Sequence, residues 1–249
     1  MNAQNGHLDI GGVFDSTTEI YKNCFGTVWI VALVLLIPAN IIVALLGNGI
    51  LGIIGSLISL AASAWLMGSI IKIVQDVEAD GRVDMSVGEI LGAVWPRIVP
   101  IVLLEIVVGI LVEIGLIFLI IPGVILALMW SVSLPALVVE DKGVFDSMSR
   151  SSELTRENRM RILGLAILIL VLYLVLVIVV ALLAAVTPIL GISVGIVLGV
   201  LIYPYIAIIS TVLYFNLVEL KEGLVMASET VVEETLIVDE GPADPPAAV

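Results

Sequence analysis

Two long intervals of the chain carry no Asp, Glu, Lys or Arg, one from Asn23 to Ile71 and the other from Ile162 to Val218. Crossing about 30 Å of hydrocarbon takes around 20 helical residues, so each interval holds two transmembrane helices. A third interval, Ile98 to Val139, has only Glu105 and Glu113 as charges and supplies two more. Composition agrees: 61% of the chain is apolar and 13% charged, against about 45–50% and about 25% in ordinary soluble domains. The expected fold is an all-α integral membrane domain of six transmembrane helices, arranged as three hairpins.

The predicted spans are 25–46, 50–71, 98–121, 123–139, 162–186 and 192–217. Gly47-Asn48-Gly49, Pro122-Gly123 and Pro188 with Gly191 mark the three intervening turns. Orientation follows from the cations. Lys22, Lys72, Arg82, Arg97, Lys142, Arg150, Arg156, Arg159, Arg161 and Lys221 all fall on one side of this map, and the three opposite turns have none. The positive-inside rule makes that side cytoplasmic, with both termini, and the expected location is a prokaryotic plasma membrane. Met1 to Asp9 is polar and lacks the basic and apolar tandem of a cleaved signal peptide.

Each hairpin is preceded by a short segment with apolar residues at helical spacing. Before the first it runs through Ile10, Val13, Phe14, Thr17, Ile20, Tyr21 and Cys24; before the second, through Val83, Val87, Ile90, Leu91, Val94 and Trp95. Both contain a Ser-x-x-Glu capping box, Ser16 to Glu19 and Ser86 to Glu89. Before the third, Gly143-Val144-Phe145-Asp146-Ser147 repeats Gly12-Val13-Phe14-Asp15-Ser16. These features predict a threefold repeat of one cytoplasmic interfacial amphipathic helix followed by two spans.

The net charge of −13 is uneven. From Leu224 to Val249 there are six acids, no Lys or Arg, and four Pro or Gly near the end, so residues 224–249 read as a disordered acidic tail after a membrane domain at 1–223. Without a basic stripe, nucleic-acid binding is disfavoured. One cysteine, Cys24, excludes an intramolecular disulfide, and one histidine, His7, removes the usual general base and commonest metal ligand. No cofactor or metal is expected.

Three sets of residues are candidates for more than span formation. Glu105, Gly109 and Glu113 form a stripe about 12 Å long on one helix face. A carboxylate inside hydrocarbon costs about 2.5–3.5 kcal/mol on insertion scales, so it needs partners, for which Asn40, Ser56, Ser59 and Thr211 are the candidates. The stripe lines a proton, cation or headgroup path, or cements helices by hydrogen bonds. Small residues at four-residue spacing, Gly55, Ser59 and Ser63 and again Gly191, Gly195 and Gly199, mark helix-packing ridges within the chain or between copies in a homo-oligomer. Arg150, Arg156, Arg159 and Arg161 orient the chain or bind anionic lipid headgroups. Pro38, Pro135 and Pro204 lie within spans and predict kinks, with Ser131 or Ser133 compensating near Pro135.

Ile121-Pro122-Gly123, Trp130, Ser131, Leu134, Pro135, Val138-Val139-Glu140, Phe145, Ser147, Arg150-Ser151 and Leu154 resemble the centre of a prokaryotic membrane-protein family, the glycerophosphoryl diester phosphodiesterase membrane domain with its uncharacterised inner-membrane relatives. Tyr214, Lys221 and Glu222-Gly223 resemble that family's closing motif, although Glu219 stands where a basic residue is more usual. The resemblance runs from about Gly11 to Gly223 and implies a six-helix membrane domain. The phosphodiesterase of the label belongs to a separate soluble domain fused in some members. Its paired His and acidic metal ligands are not supplied by a chain with a single histidine.

The function expected first is a non-enzymatic membrane scaffold or a domain that binds a membrane-protein partner. A transporter or channel using Glu105 and Glu113 comes second. A membrane-embedded enzyme comes last, since no metal motif, paired nucleophile and base, or phosphate-cradling loop is present.

Overall fold

The computed structural model describes residues 8–47 and 49–239. Its helices are α1 (Ile10–Leu46), α2 (Ile50–Asp80), α3 (Val87–Val94), α4 (Ile98–Phe118), α5 (Ile120–Met129), α6 (Ser133–Val139), α7 (Val144–Thr155), α8 (Arg159–Val186) and α9 (Pro188–Asp239), with a 3-10 turn at Trp95–Arg97 between α3 and α4. No strand occurs among the described residues. Six helical segments are long and apolar enough to cross a bilayer: Ile10–Leu46, Ile50–Ala79, Val87–Phe118, Ile120–Val139, Arg159–Val186 and Leu201–Gly223. The chain is an all-α, multi-pass membrane protein.

Several boundaries differ from the sequence reading, each for a local reason. The first amphipathic segment is not a separate helix, because α1 runs unbroken from Ile10 to Leu46. Asp9 is its N-cap and accepts a hydrogen bond from Gly11 N, so Ser16 and Glu19 lie inside the helix and form no capping box. The only weak residue at the junction, Gly26, costs about 1 kcal/mol against alanine, too little to break a helix packed on both sides of it. The second box does form: the Ser86 side chain accepts from Glu89 N and the Glu89 carboxylate accepts from Ser86 N.

Pro122-Gly123 is not the turn of the second hairpin. The chain reverses at the single extended residue Leu119, and Pro122 falls in the first turn of α5, where a missing N–H costs nothing. The third hairpin reverses in the same way at Thr187, with Pro188 opening α9 and Gly191 in its first turn. The last helix also continues to Asp239, through much of the segment expected to be disordered. Leu224 to Asp239 contains no Pro or Gly to stop it. Residues 240–249 and His7 lie outside the described residues.

The main core is built by α1, α2 and α9. Val13, Thr17, Ile20, Cys24, Val28, Val31 and Leu35 form one buried face of α1 at helical spacing. They pack with Leu66, Ile70, Ile73 and Val74 of α2 and Ile208, Val212, Tyr214 and Leu217 of α9. A second cluster joins Ala64 and Ile71 of α2, Val94 of α3, Ile101 and Leu104 of α4, Leu137 and Val138 of α6 and Met148 of α7. By contrast, only Ile162 and Leu165 of α8 are buried, so nearly all of that helix presents apolar side chains outward.

Candidate functional site

The polar side chains that reach across the fold converge where α6, α7 and α9 meet. The α5–α6 pair is interrupted at Trp130–Val132 by Pro135, which has no N–H to give to the carbonyl of Ser131 four residues earlier. Ser210 of α9 donates to that carbonyl instead, at 3.0 Å. Ser151 of α7 bridges the break from the other side, accepting from Val132 N at 3.3 Å and donating to the Met129 carbonyl at 2.9 Å. The Thr155 hydroxyl lies 3.3 Å from the same carbonyl, and its shorter bond, 2.9 Å, goes to the Ser151 carbonyl. Irregular backbone away from water is tolerated only when protein groups satisfy it, and Ser151 and Ser210 do so from α7 and α9 while Ser131 and Ser133 donate to the Leu128 and Trp130 carbonyls.

One turn beyond Pro135, α6 ends at Glu140. Its Oε1 accepts hydrogen bonds from Tyr214 Oη at 2.7 Å and from Arg150 Nε at 2.8 Å, while Lys142 pairs with Oε2. Arg150 also faces Glu153 at 3.7 Å and Glu222 at 3.9 Å, and Lys221 binds Glu153 at 2.6 Å. Burial alone would raise the Glu140 carboxyl, but hydrogen bonds from Lys142, Arg150 and Tyr214 and the Arg150 charge outweigh it, leaving the group at about 2. It is therefore a carboxylate at any physiological pH. A carboxylate at a helix C-terminus is opposed by the helix dipole, which explains why two cations and a phenol surround it.

The adjoining Asp141 has φ of 59°, the left-handed region that costs an ordinary residue about 1 kcal/mol, and pairs with Arg97 at the head of α4. The start of α1 is tied to the same end. Leu8, 1% exposed, donates through its N–H to Asn158 Oδ1, and its carbonyl accepts from Arg161. On the far side of the core, Tyr21 of α1 donates to the Leu201 carbonyl of α9 and Thr18 bonds Tyr205, both flanking Pro204. Trp65 of α2 donates to the Leu91 carbonyl of α3.

Glu105 and Glu113 are not brought into this network. Glu105 is half-buried, whereas Glu113 is exposed on the outer face of α4, and the space beside Gly109 is open. Asn40, Ser56 and Thr211 are not partners of the stripe; each donates to the carbonyl one turn back on its own helix, those of Leu36, Gly52 and Ala207. Tyr203 of α9 and Ser63 of α2 lie near Glu105, a neighbourhood that the sequence did not suggest. Gly55 is buried against Val43 of α1, where an added Cβ would lie 3.5 Å from its Cα, and Ser59 is half-buried. At Gly191 an added Cβ would meet Ala184 at 2.3 Å, and at Gly123 the backbone N of Leu116 at 2.4 Å. The surroundings of Gly195 and Gly199 lie outside the described residues. Arg156 and Gly223 are exposed, as is Pro122.

The four residues of the family-like motif that touch, Glu140, Arg150, Tyr214 and Glu222, come from three separate stretches of sequence. Their convergence gives that motif a structural meaning. A model of an uncharacterised protein family, UPF0259, matches residues 50–217, which include α2 through most of α9. The chain belongs to the UPF0259 family. Two curated UPF0259 membrane proteins are similar to it: one from Sodalis glossinidius, 31% identical over 46% of this chain and 44% of its own length, and one from Pectobacterium carotovorum, 30% identical over 42% and 41%. The chain thus spans less than half the length of the UPF0259 relatives it matches. No solved structure matches. The family found is an uncharacterised membrane family, in keeping with part of the resemblance; the likeness to the glycerophosphoryl diester phosphodiesterase membrane domain rests on the motif residues alone.

Proposed function

We propose that this protein is a non-enzymatic membrane scaffold or partner-binding domain, with its cation-rich end in the cytoplasm of a prokaryotic cell. The observation that carries the reading is how the polar groups are used. Glu140, Arg150 and Tyr214 are saturated by one another, and the hydroxyls of Ser151 and Ser210 are occupied in mending the α5–α6 break. Groups occupied in this way hold helices in register and are not free to act on a substrate. A cavity of about 540 Å³ between helices, bounded by Val34, Pro38, Ile58, Ala62, Trp65 and Trp95, is lined almost wholly by apolar side chains. The cations at one end, with uncharged turns at the other, favour a cytoplasmic placement of that end and both termini.

A second reading, a transporter or channel, is favoured by one observation, the polar side chains of Ser63 and Tyr203 near half-buried Glu105. Proteoliposomes with an entrapped pH dye separate the two. Under an imposed membrane potential, vesicles with the wild-type protein and with the Glu105→Gln variant should acidify at the rate of empty vesicles. Flux above that baseline that disappears in Glu105→Gln would overturn the scaffold reading in favour of the path.

A further inference from the structure

Arg159 opens α8 beside the α5–α6 break, one turn after Thr155 reaches the Met129 carbonyl. Its Nε is buried, yet it has no hydrogen-bond partner. A buried guanidinium N–H left without an acceptor is costly, and guanidinium geometry suits a phosphate oxygen well. The same side chain lines a cavity of about 460 Å³ between α5 and α8. The remainder of the lining is apolar, including Ile121, Val124, Ile125, Leu128 and Leu163, and Met160 beside it is exposed.

A cation at one end of an apolar groove, in a helix pair whose outer surface faces lipid, has the form of an amphiphile. We infer that the α5–α8 groove is a binding site for an anionic phospholipid, with the headgroup phosphate accepting from the Arg159 guanidinium and one acyl chain lying against Val124, Leu128 and Leu163. The exposed Arg156 one turn earlier adds positive charge on the same side and no groove contact. Charge complementarity selects the lipid class. A zwitterionic lipid offers the same phosphate but carries its own compensating cation, and a soluble phosphate has nothing to fill the apolar part. The inference is independent of the scaffold reading, since either a scaffold or a transporter can hold an annular lipid.

Native mass spectrometry of the full chain, released from micelles containing equimolar phosphatidylglycerol and phosphatidylcholine with identical acyl chains, tests it. Wild type should retain the anionic lipid about five-fold over the zwitterionic one, the ratio expected of one interfacial arginine. Arg159→Gln should bring the ratio near unity, and Arg159→Lys should keep part of it. Val124→Trp, which fills the groove and leaves every charge in place, should reduce retention of both lipids and thereby answers the case in which Arg159→Gln does not fold. Excess inorganic phosphate should not displace the lipid. Equal retention of the two lipids by wild type, displacement by inorganic phosphate, or undiminished selectivity in Arg159→Gln would each overturn the site.

Discussion

The two ends of this helical bundle are held by different physics. At the cation-rich end, segments far apart in sequence are tied by side chains: Leu8 to Asn158 and Arg161, Arg97 to Asp141, Glu140 to Arg150 and Tyr214, Glu153 to Lys221. At the other end the described turns carry no charge, and two of them reverse at one extended residue, Leu119 or Thr187. Each is followed four residues on by a glycine, Gly123 or Gly191, pressed against the preceding helix at Leu116 or Ala184. The first hairpin departs from that pattern, using positive φ at Gly47 and Gly49. Where cations and acids are at hand, polar bonds specify which helices meet; where the turn is uncharged, close backbone approach does.

The largest effects should come from the uncharged turns. Gly191→Val places side-chain carbon inside the backbone of α8, and the expected cost is about 3 kcal/mol or loss of folded protein, read by denaturant unfolding in micelles. Gly109→Val, on the open face of α4, should cost well under 1 kcal/mol in the same assay apart from helix propensity. If the two behave alike, close approach is not what distinguishes the turns.

At the opposite end, Glu140→Gln should cost about 2 kcal/mol, because Arg150 and Lys142 lose the carboxylate between them. Acid provides the complementary experiment. The Glu140 carboxyl is held at about 2, below an unfolded value near 4.3, so its stabilisation is complete above that unfolded value and fades as pH falls from about 4 to about 2. Wild type should lose stability across that window more steeply than Glu140→Gln. Smaller still is Tyr214→Phe, about 1 kcal/mol for one hydrogen bond to a carboxylate shared with two cations. Ser210→Ala should cost about as much, and less in a Pro135→Ala background, where Ala136 is preceded by a residue able to bond the Ser131 carbonyl itself.

Span number and the one-sided distribution of cations were legible because both are written directly into the order of residues. Where the first helix starts, where the last one ends and how the hairpins turn were not. Pro122-Gly123 looks like a turn in sequence, yet Pro is equally at home in a helix's first turn, and only the packing of Gly123 on Leu116 shows which applies. Likewise Ser16 and Glu19 spell a capping box that Asp9 pre-empts seven residues upstream. Glu140, Arg150 and Tyr214 were each visible as family-like residues, but nothing in their spacing says that they touch. The Glu105 stripe showed the converse error: correct periodicity on α4 placed Glu113 on the exposed face, and the partners chosen for it bond their own helices.

The contrast between the two ends is tested most directly by cysteine accessibility, for which the single native cysteine, Cys24, gives little background because it is fully buried. With a membrane-impermeant maleimide on intact cells, Thr187→Cys at the uncharged turn should label, and Arg156→Cys at the cation-rich end should label only after permeabilisation. Labelling of Arg156→Cys from outside, or of both positions from the same side, would contradict the account.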